Sequence, residues 1–148
     1  MLKITFDRGI EERDVTFVVI VCNYKGRWLF CKHRDRDTFE SPGGKREEGE
    51  TIWQTAHREL FEETGVTNYD LSLVSPYRME LPNYTAKPNL KYGMLFYANI
   101  EKLSNLPKYE MEAVYLFDTM PKKLTYADIQ YELMKKVVED LNLTYKIT

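Results

Sequence analysis

Two cysteines, Cys22 and Cys31, are too few for a disulfide framework. No apolar run approaches the ~18 residues of a membrane span. The first eight residues, Met1 to Arg8, lack the apolar core of a secretory signal. Neither sign of charge dominates: 21 basic and 23 acidic residues leave −2. A general nucleic-acid coat or membrane-surface binder usually carries a basic excess. No internal repeat, low-complexity stretch or Pro/Gly-rich linker divides the chain. What is present is 43% hydrophobic, 30% charged and 14% aromatic, a globular composition. A chain of 148 residues fits one domain and buries roughly 68–70% of its unfolded surface without disulfides or metal. We therefore expect one soluble cytoplasmic domain spanning residues 1–148, with neither a nucleic-acid polymer nor a membrane as partner.

Val15–Cys22 is β-branched and almost wholly apolar, which predicts a strand buried on both faces. Asn23-Tyr24-Lys25-Gly26 supplies turn chemistry, and Arg27–His33 returns as the second strand of a hairpin. Lys32–Asp37 is a charged connection, and Ser41-Pro42-Gly43-Gly44 is expected to be irregular backbone. Thr51 with Gln54 forms a capping box. Ile52, Ala56 and Leu60 then make a core stripe, and Gly65 supplies a stop, so a helix is predicted over about Thr51–Thr64. Leu71–Leu81, Leu90–Ile100 and Ala113–Phe117 read as strands punctuated by Pro76, Pro82, Pro88 and Pro107. A second helix is predicted from Tyr126 or Ala127 to Leu141, with Ile129, Leu133, Met134, Val137, Val138 and Leu141 as its stripe. Two helices with a mixed set of strands predict an α+β fold, an α/β/α sandwich.

The first helix carries the chemistry. Glu59, Glu62 and Glu63 stand at i, i+3 and i+4, so their carboxylates share one face within one turn. Like charges at that spacing repel by about 0.2–0.5 kcal/mol per pair. They also sit toward the helix C-terminus, where the dipole disfavours them. Such a cluster asks for a compensating cation. Oxygen-only ligands suit Mg2+, Mn2+ or Ca2+ rather than zinc or copper. A solvated acidic face with Arg58 as local partner is the alternative for the helix alone. The preceding Pro42-Gly43-Gly44 favours a ligand site, because glycine lets backbone approach closely.

The full string is Gly44-x5-Glu50-x7-Arg58-Glu59-Leu60-x-Glu62-Glu63-x-Gly65-Val66. It matches the Nudix box at every position, with a chance frequency on the order of 10⁻⁹–10⁻⁸ per window. The chain thus resembles a Nudix hydrolase. The resemblance implies an α/β/α Nudix sandwich and Mg2+-dependent hydrolysis of a nucleoside diphosphate linked to another moiety, with Mn2+ able to substitute. It implies that Glu59, Glu62 and Glu63 bind metal, Glu59 serving as base in some members. It also implies that Arg58 orients a catalytic glutamate, that Glu50 starts the box helix, and that the Gly43 carbonyl is a metal ligand. Divalent ions neutralise a polyanionic pyrophosphate and acidify a bound water, and a carboxylate takes the proton. Family members often have an apolar residue where Ser41 stands, so base contacts do not transfer from relatives.

Many members draw a further glutamate from a loop before the last strand; here Glu110 is the choice and Glu112 the alternative. Lys32, His33, Arg34, Arg36 and Lys45 are candidates for substrate phosphates, Arg34 and Lys45 foremost. Phe39, Tyr77, Tyr84, Tyr92, Phe96 and Tyr97 are candidates to stack on a base, Phe39 foremost. His57 is expected to pack at the surface, and Cys22 and Cys31 to be inert buried thiols. Within the family a proline 16 residues past the box marks ADP-ribose pyrophosphatases. A tyrosine 16–18 past it marks dinucleoside polyphosphate hydrolases. Pro82 and Tyr84, 16 and 18 beyond Val66, satisfy both and so decide nothing. The compact chain resembles the MutT-like branch, which acts on nucleoside triphosphates, including oxidised guanine nucleotides. A nucleotide-sensing domain without activity is disfavoured, since such domains commonly lose box glutamates.

Overall fold

The computed structural model describes residues 2–81, 89–107 and 111–148, without the side chain of Glu112. Strand β1 is Lys3–Phe6, β2 Phe17–Tyr24, β3 Arg27–His33, β4 Phe39–Glu40 and β5 Gly43–Lys45. Helix α1 is Ile52–Thr64, followed by β6 Asn68–Leu81, β7 Asn89–Lys102, β8 Met111–Phe117 and helix α2 Ala127–Asp140. Among the described residues the eight strands form one mixed sheet ordered β1-β6-β7-β2-β3-β4, with β5 paired to β2 and β8 to β3. A parallel pairing of β2 with β7 lies at its centre, from Phe17↔Gly93 to Tyr24↔Ile100.

The predicted hairpin forms as β2–β3, closing at Tyr24↔Arg27. Its two turn residues, Lys25 and Gly26, have φ of 50° and 87°. That doubly left-handed turn matches the twist of the flanking strands. The Gly26 amide donates to Asn23 Oδ1 at 2.9 Å.

The central strands alternate between two cores, as burial on both faces requires. Val18, Ile20, Cys22, Met94, Phe96 and Ala98 face Ile52, Ala56 and Leu60 of α1. Val21, Leu95 and Tyr97 face Leu133, Met134 and Val137 of α2 on the other side. The molecule is therefore the expected sandwich, helix on sheet on helix.

One local expectation is corrected. Gly43-Gly44 is not irregular: with Lys45 it forms β5, antiparallel to β2 through Val19↔Gly43 and Phe17↔Lys45. The reason lies in the hairpin. β3 is paired to β8 along one edge, from Trp28↔Phe117 to His33↔Met111. On its other edge β3 leaves β2 after Leu29 and takes up β4 through Cys31↔Glu40. β2 and β3 thus fork, and residues 39–45 fill the fork. The unpaired edges of both strands are satisfied by whichever backbone lies there, whatever its intrinsic β-propensity.

Candidate active site

Helix α1 begins as its sequence requires. Thr51 Oγ1 accepts the Gln54 amide at 3.1 Å, and Gln54 Oε1 accepts the Thr51 amide at 2.9 Å. It ends at Gly65, whose φ is 75° and whose N–H reaches the Phe61 carbonyl at 2.8 Å. A Cβ there would lie 2.1 Å from the Asn105 carbonyl oxygen, so glycine is needed on two counts. With Ile52, Ala56 and Leu60 turned inward, the helix carries Glu59, Glu62 and Glu63 beside the glycine strand.

Arg58 organises this face. Its Nε and one terminal nitrogen clasp Glu50 at 2.7 and 3.0 Å. The other terminal nitrogen donates to Glu59 at 2.8 Å and Glu62 at 3.3 Å, and stands 3.6 Å from Glu47. The Lys45 carbonyl accepts at 2.9 Å, tying the guanidinium to β5. Bidentate charge-assisted geometry of this kind fixes direction as well as energy. Hydrogen bonding to Arg58 chiefly holds the Glu50 carboxyl at about 2, below its ordinary range, with the Glu47 amide and Thr55 hydroxyl assisting. Glu50 reciprocally raises the Arg58 pKa.

A residue that sequence reasoning missed, Arg46, braces the entry to the helix. It donates to the carbonyls of Glu50 at 2.7 Å, Glu12 at 2.9 Å and Val15 at 3.3 Å. It has no periodic signature, because all three partners are backbone.

Glu63 is 9% exposed. Its carboxylate accepts the Gly43 amide at 2.7 Å. The register explains why that amide is available. Pro42 O accepts Ile20 N, and Arg46 N donates to Thr16 O, so alternate residues face β2 and Gly43 faces away. Its N–H and carbonyl therefore point together toward α1. The glycines serve the protein's own packing. A Cβ on Gly43 would lie 2.4 Å from the Val18 carbonyl oxygen, and one on Gly44 2.3 Å from the Glu59 carboxyl carbon.

Among the described residues, no three acidic, histidine or cysteine side chains are arranged to share one ion as they stand. Arg58 engages Glu59 and Glu62, while Glu63 turns to the glycine strand. The donor set nevertheless fits a hard divalent cation. It consists of carboxylates of adjacent helical turns and a strand carbonyl, all oxygen. The bare Cα of Gly44 supplies the room in which the Glu59 carboxylate lies.

The remaining candidates are scattered. Arg34 is exposed in the turn after β3, and the Lys45 side chain is exposed while its carbonyl serves Arg58. Arg36 pairs with Glu40 at 3.1 Å. Lys32 and His33 are partly buried and engaged. Phe39 packs edge-on against Tyr115 and Phe117, at 5.1 and 5.0 Å, within the α2-side cluster and apart from the carboxylates. Tyr77, Phe96 and Tyr97 are core residues, a correction to their candidacy as stacking platforms. Phe96 and Tyr97 lie in β7, whose two faces are both covered, and Tyr77 in β6 packs against Phe6 and Phe17, so each aromatic is used for packing. His57 meets Tyr69 at the surface. Cys22 and Cys31 are free and buried, and burial pushes both thiols up. Pro82, Tyr84, Pro88, Glu110 and the Glu112 side chain lie outside the described residues.

The NUDIX domain model matches residues 12–136. A protein of Bacillus subtilis described as putative 8-oxo-dGTP diphosphatase YtkD is 30% identical over 125 residues, 84% of this chain and 75% of that protein. An RNA pyrophosphohydrolase of Mannheimia succiniciproducens is 34% identical over 76 residues, 51% of this chain but only 34% of that protein. Among solved structures, the Bacillus subtilis pyrophosphohydrolase BsRppH superimposes with a TM-score of 0.76 at 26% identity, covering 93% of this chain and 90% of its own. The E. coli dihydroneopterin triphosphate pyrophosphohydrolase, at 20% identity and TM-score 0.60, shares the fold over 90% of this chain and 99% of its own. With the box residues assembled on β5, α1 and the residues flanking that helix, and the match running through most of the chain, this protein belongs to the Nudix family of pyrophosphate-bond hydrolases.

Proposed function

We propose that the whole chain acts as one catalytic unit, a Mg2+-dependent pyrophosphohydrolase. Its substrate is a nucleoside triphosphate, oxidised guanine nucleotides included. The observation that carries the reading is the convergence of Glu50, Glu59 and Glu62 on one guanidinium beside the Glu63–Gly43 contact. Glu59, Glu62, Glu63 and the Gly43 carbonyl are the groups that hold the cation. When bound, Mg2+ or Mn2+ neutralises diphosphate oxygens and acidifies a water. Arg58 orients Glu59 and Glu62 and is itself fixed by Glu50. A site carboxylate accepts the water's proton as the water oxygen bonds to phosphorus. One phosphoanhydride P–O bond breaks, leaving the nucleoside monophosphate and pyrophosphate. Glu110 is the proposed additional glutamate, and Arg34 and Lys45 the proposed phosphate contacts.

The likeness to YtkD over most of both chains supports a free nucleotide as substrate. A 5′-triphosphorylated RNA end presents the same anhydride, and the partial likeness to the RNA pyrophosphohydrolase of Mannheimia succiniciproducens favours it as the second reading. The test is a panel with Mg2+: 8-oxo-dGTP, dGTP, ADP-ribose, diadenosine tetraphosphate and a 5′-triphosphorylated RNA oligonucleotide. The expected result is the highest kcat/KM on a nucleoside triphosphate, with pyrophosphate released. Preference for the RNA end supports the second reading, and preference for ADP-ribose or the dinucleotide overturns both.

A further inference from the structure

The segment in the fork between β2 and β3 is held from both faces of the sheet. On the α1 face Gly43 donates to Glu63, and Gly44 lies against Glu59. On the α2 face, two residues earlier, Gln130 Nε2 donates to Ser41 Oγ at 2.6 Å. Pro42 lies between, its carbonyl accepting the Ile20 amide at 2.8 Å. Gln130 is 5% and Ser41 8% exposed. Gln130 is the polar member of the buried set on α2, whose other members are Leu133, Met134 and Val137.

Burying an amide and a hydroxyl is costly where an apolar pair would also fill the space. What the polar pair adds is direction, since a hydrogen bond fixes a partner where apolar contact lets it slide. Backbone bonds from Phe39 to Lys123 and from Thr125 to Phe39, at 2.7 and 2.9 Å, hold only the start of the segment. The Gln130–Ser41 bond holds it at the last residue before Pro42.

We propose that Gln130 is a positioning residue for the carboxylate site: by holding Ser41 from α2, it sets where the Gly43 amide meets Glu63. The proposal rests on Glu63 belonging to the catalytic site. Gln130 acts through the loop and does not touch substrate.

The test compares wild type, Gln130→Met and the double variant Gln130→Met/Ser41→Ala. The double variant removes both polar partners, so its global stability returns toward wild type. The first readout is amide hydrogen exchange in chelator. The Gly43 amide should exchange about fivefold faster in both variants, the loss of roughly one hydrogen bond. Amides in the middle of α1 should be unchanged in the double variant. The second readout is hydrolysis: the Mg2+ concentration for half-maximal rate should rise about fivefold in the double variant, with nucleotide KM unchanged. Wild-type Gly43 exchange or wild-type Mg2+ dependence in the double variant overturns the proposal and makes the pair a core contact. A wild type that hydrolyses no nucleotide instead overturns the functional reading, and the exchange arm still judges the tether.

Discussion

Replacing Arg58 with alanine removes one guanidinium and leaves its partners behind. Five contacts at 3.3 Å or less disappear: two to Glu50, one each to Glu59 and Glu62, and one to the Lys45 carbonyl. The Arg58 side chain is 22% exposed and that of Glu50 16%, between a surface pair and a buried one. Exposed pairs contribute about 0–1 kcal/mol, and breaking a buried pair costs about 3–5. We expect Arg58→Ala to lose about 3 kcal/mol, which lowers Tm by roughly 6–12 °C for a chain of this size. Arg58→Lys restores the charge but not the fork, and should recover less than half. Urea denaturation in chelator measures this without a contribution from bound metal. A double-mutant cycle with Glu50→Gln isolates the pair, with an expected coupling of about 1–3 kcal/mol. A loss below about 1 kcal/mol for Arg58→Ala, or full recovery by lysine, refutes the idea that one guanidinium assembles this face.

The two glycines of β5 should fail differently. Gly43→Ala meets the backbone of Val18 and should cost about 1–3 kcal/mol in a denaturant melt. Gly44→Ala meets the Glu59 carboxylate, the far end of a flexible side chain, before anything else, so it should keep its stability and lose turnover as that side chain swings away. The Glu50 carboxyl, held at about 2 against an ordinary 4.5, stabilises the fold above pH 4.5 and loses that contribution as pH falls toward 2. Glu50→Gln should therefore make the acid limb of a stability–pH curve shallower, and an unchanged limb contradicts the assignment. Glu62→Gln should leave the metal-free protein as stable as wild type or slightly more so, since it relieves like-charge crowding. Its Mg2+-induced rise in Tm should be smaller than that of wild type, and an equal rise places the metal elsewhere.

The elements legible from sequence are those whose signals are local. Helix α1 carries its own cap at Thr51–Gln54, its own stripe and its own stop at Gly65, and it forms with those boundaries. The β2–β3 hairpin is likewise written in its turn and its apolar runs. Strands β1, β4 and β5 were not legible. They are four, two and three residues long, and β5 is mostly glycine. Each exists because a longer strand offers an unpaired edge: β6 for β1, β3 for β4, β2 for β5. The site followed the same division. The spacing of Glu59, Glu62 and Glu63 on one face was readable at once, since helical geometry alone sets it. That Arg58 also ties down the Lys45 carbonyl, or that Arg46 reaches the carbonyls of Glu12 and Val15, depends on tertiary approach that no short spacing encodes. The aromatics show the same limit: composition could not tell that Tyr77, Phe96 and Tyr97 are used for the cores.

The claim that the α1 carboxylates run the hydrolysis is tested most directly by Glu63→Gln, assayed for pyrophosphate release at saturating Mg2+. Glutamine keeps the size of the side chain and an oxygen to accept the Gly43 amide, so the fold should persist with an unchanged melt in chelator. What it removes is the carboxylate charge. The account predicts loss of most turnover, by about 10² or more; a variant that folds normally and hydrolyses at near wild-type rate would contradict it.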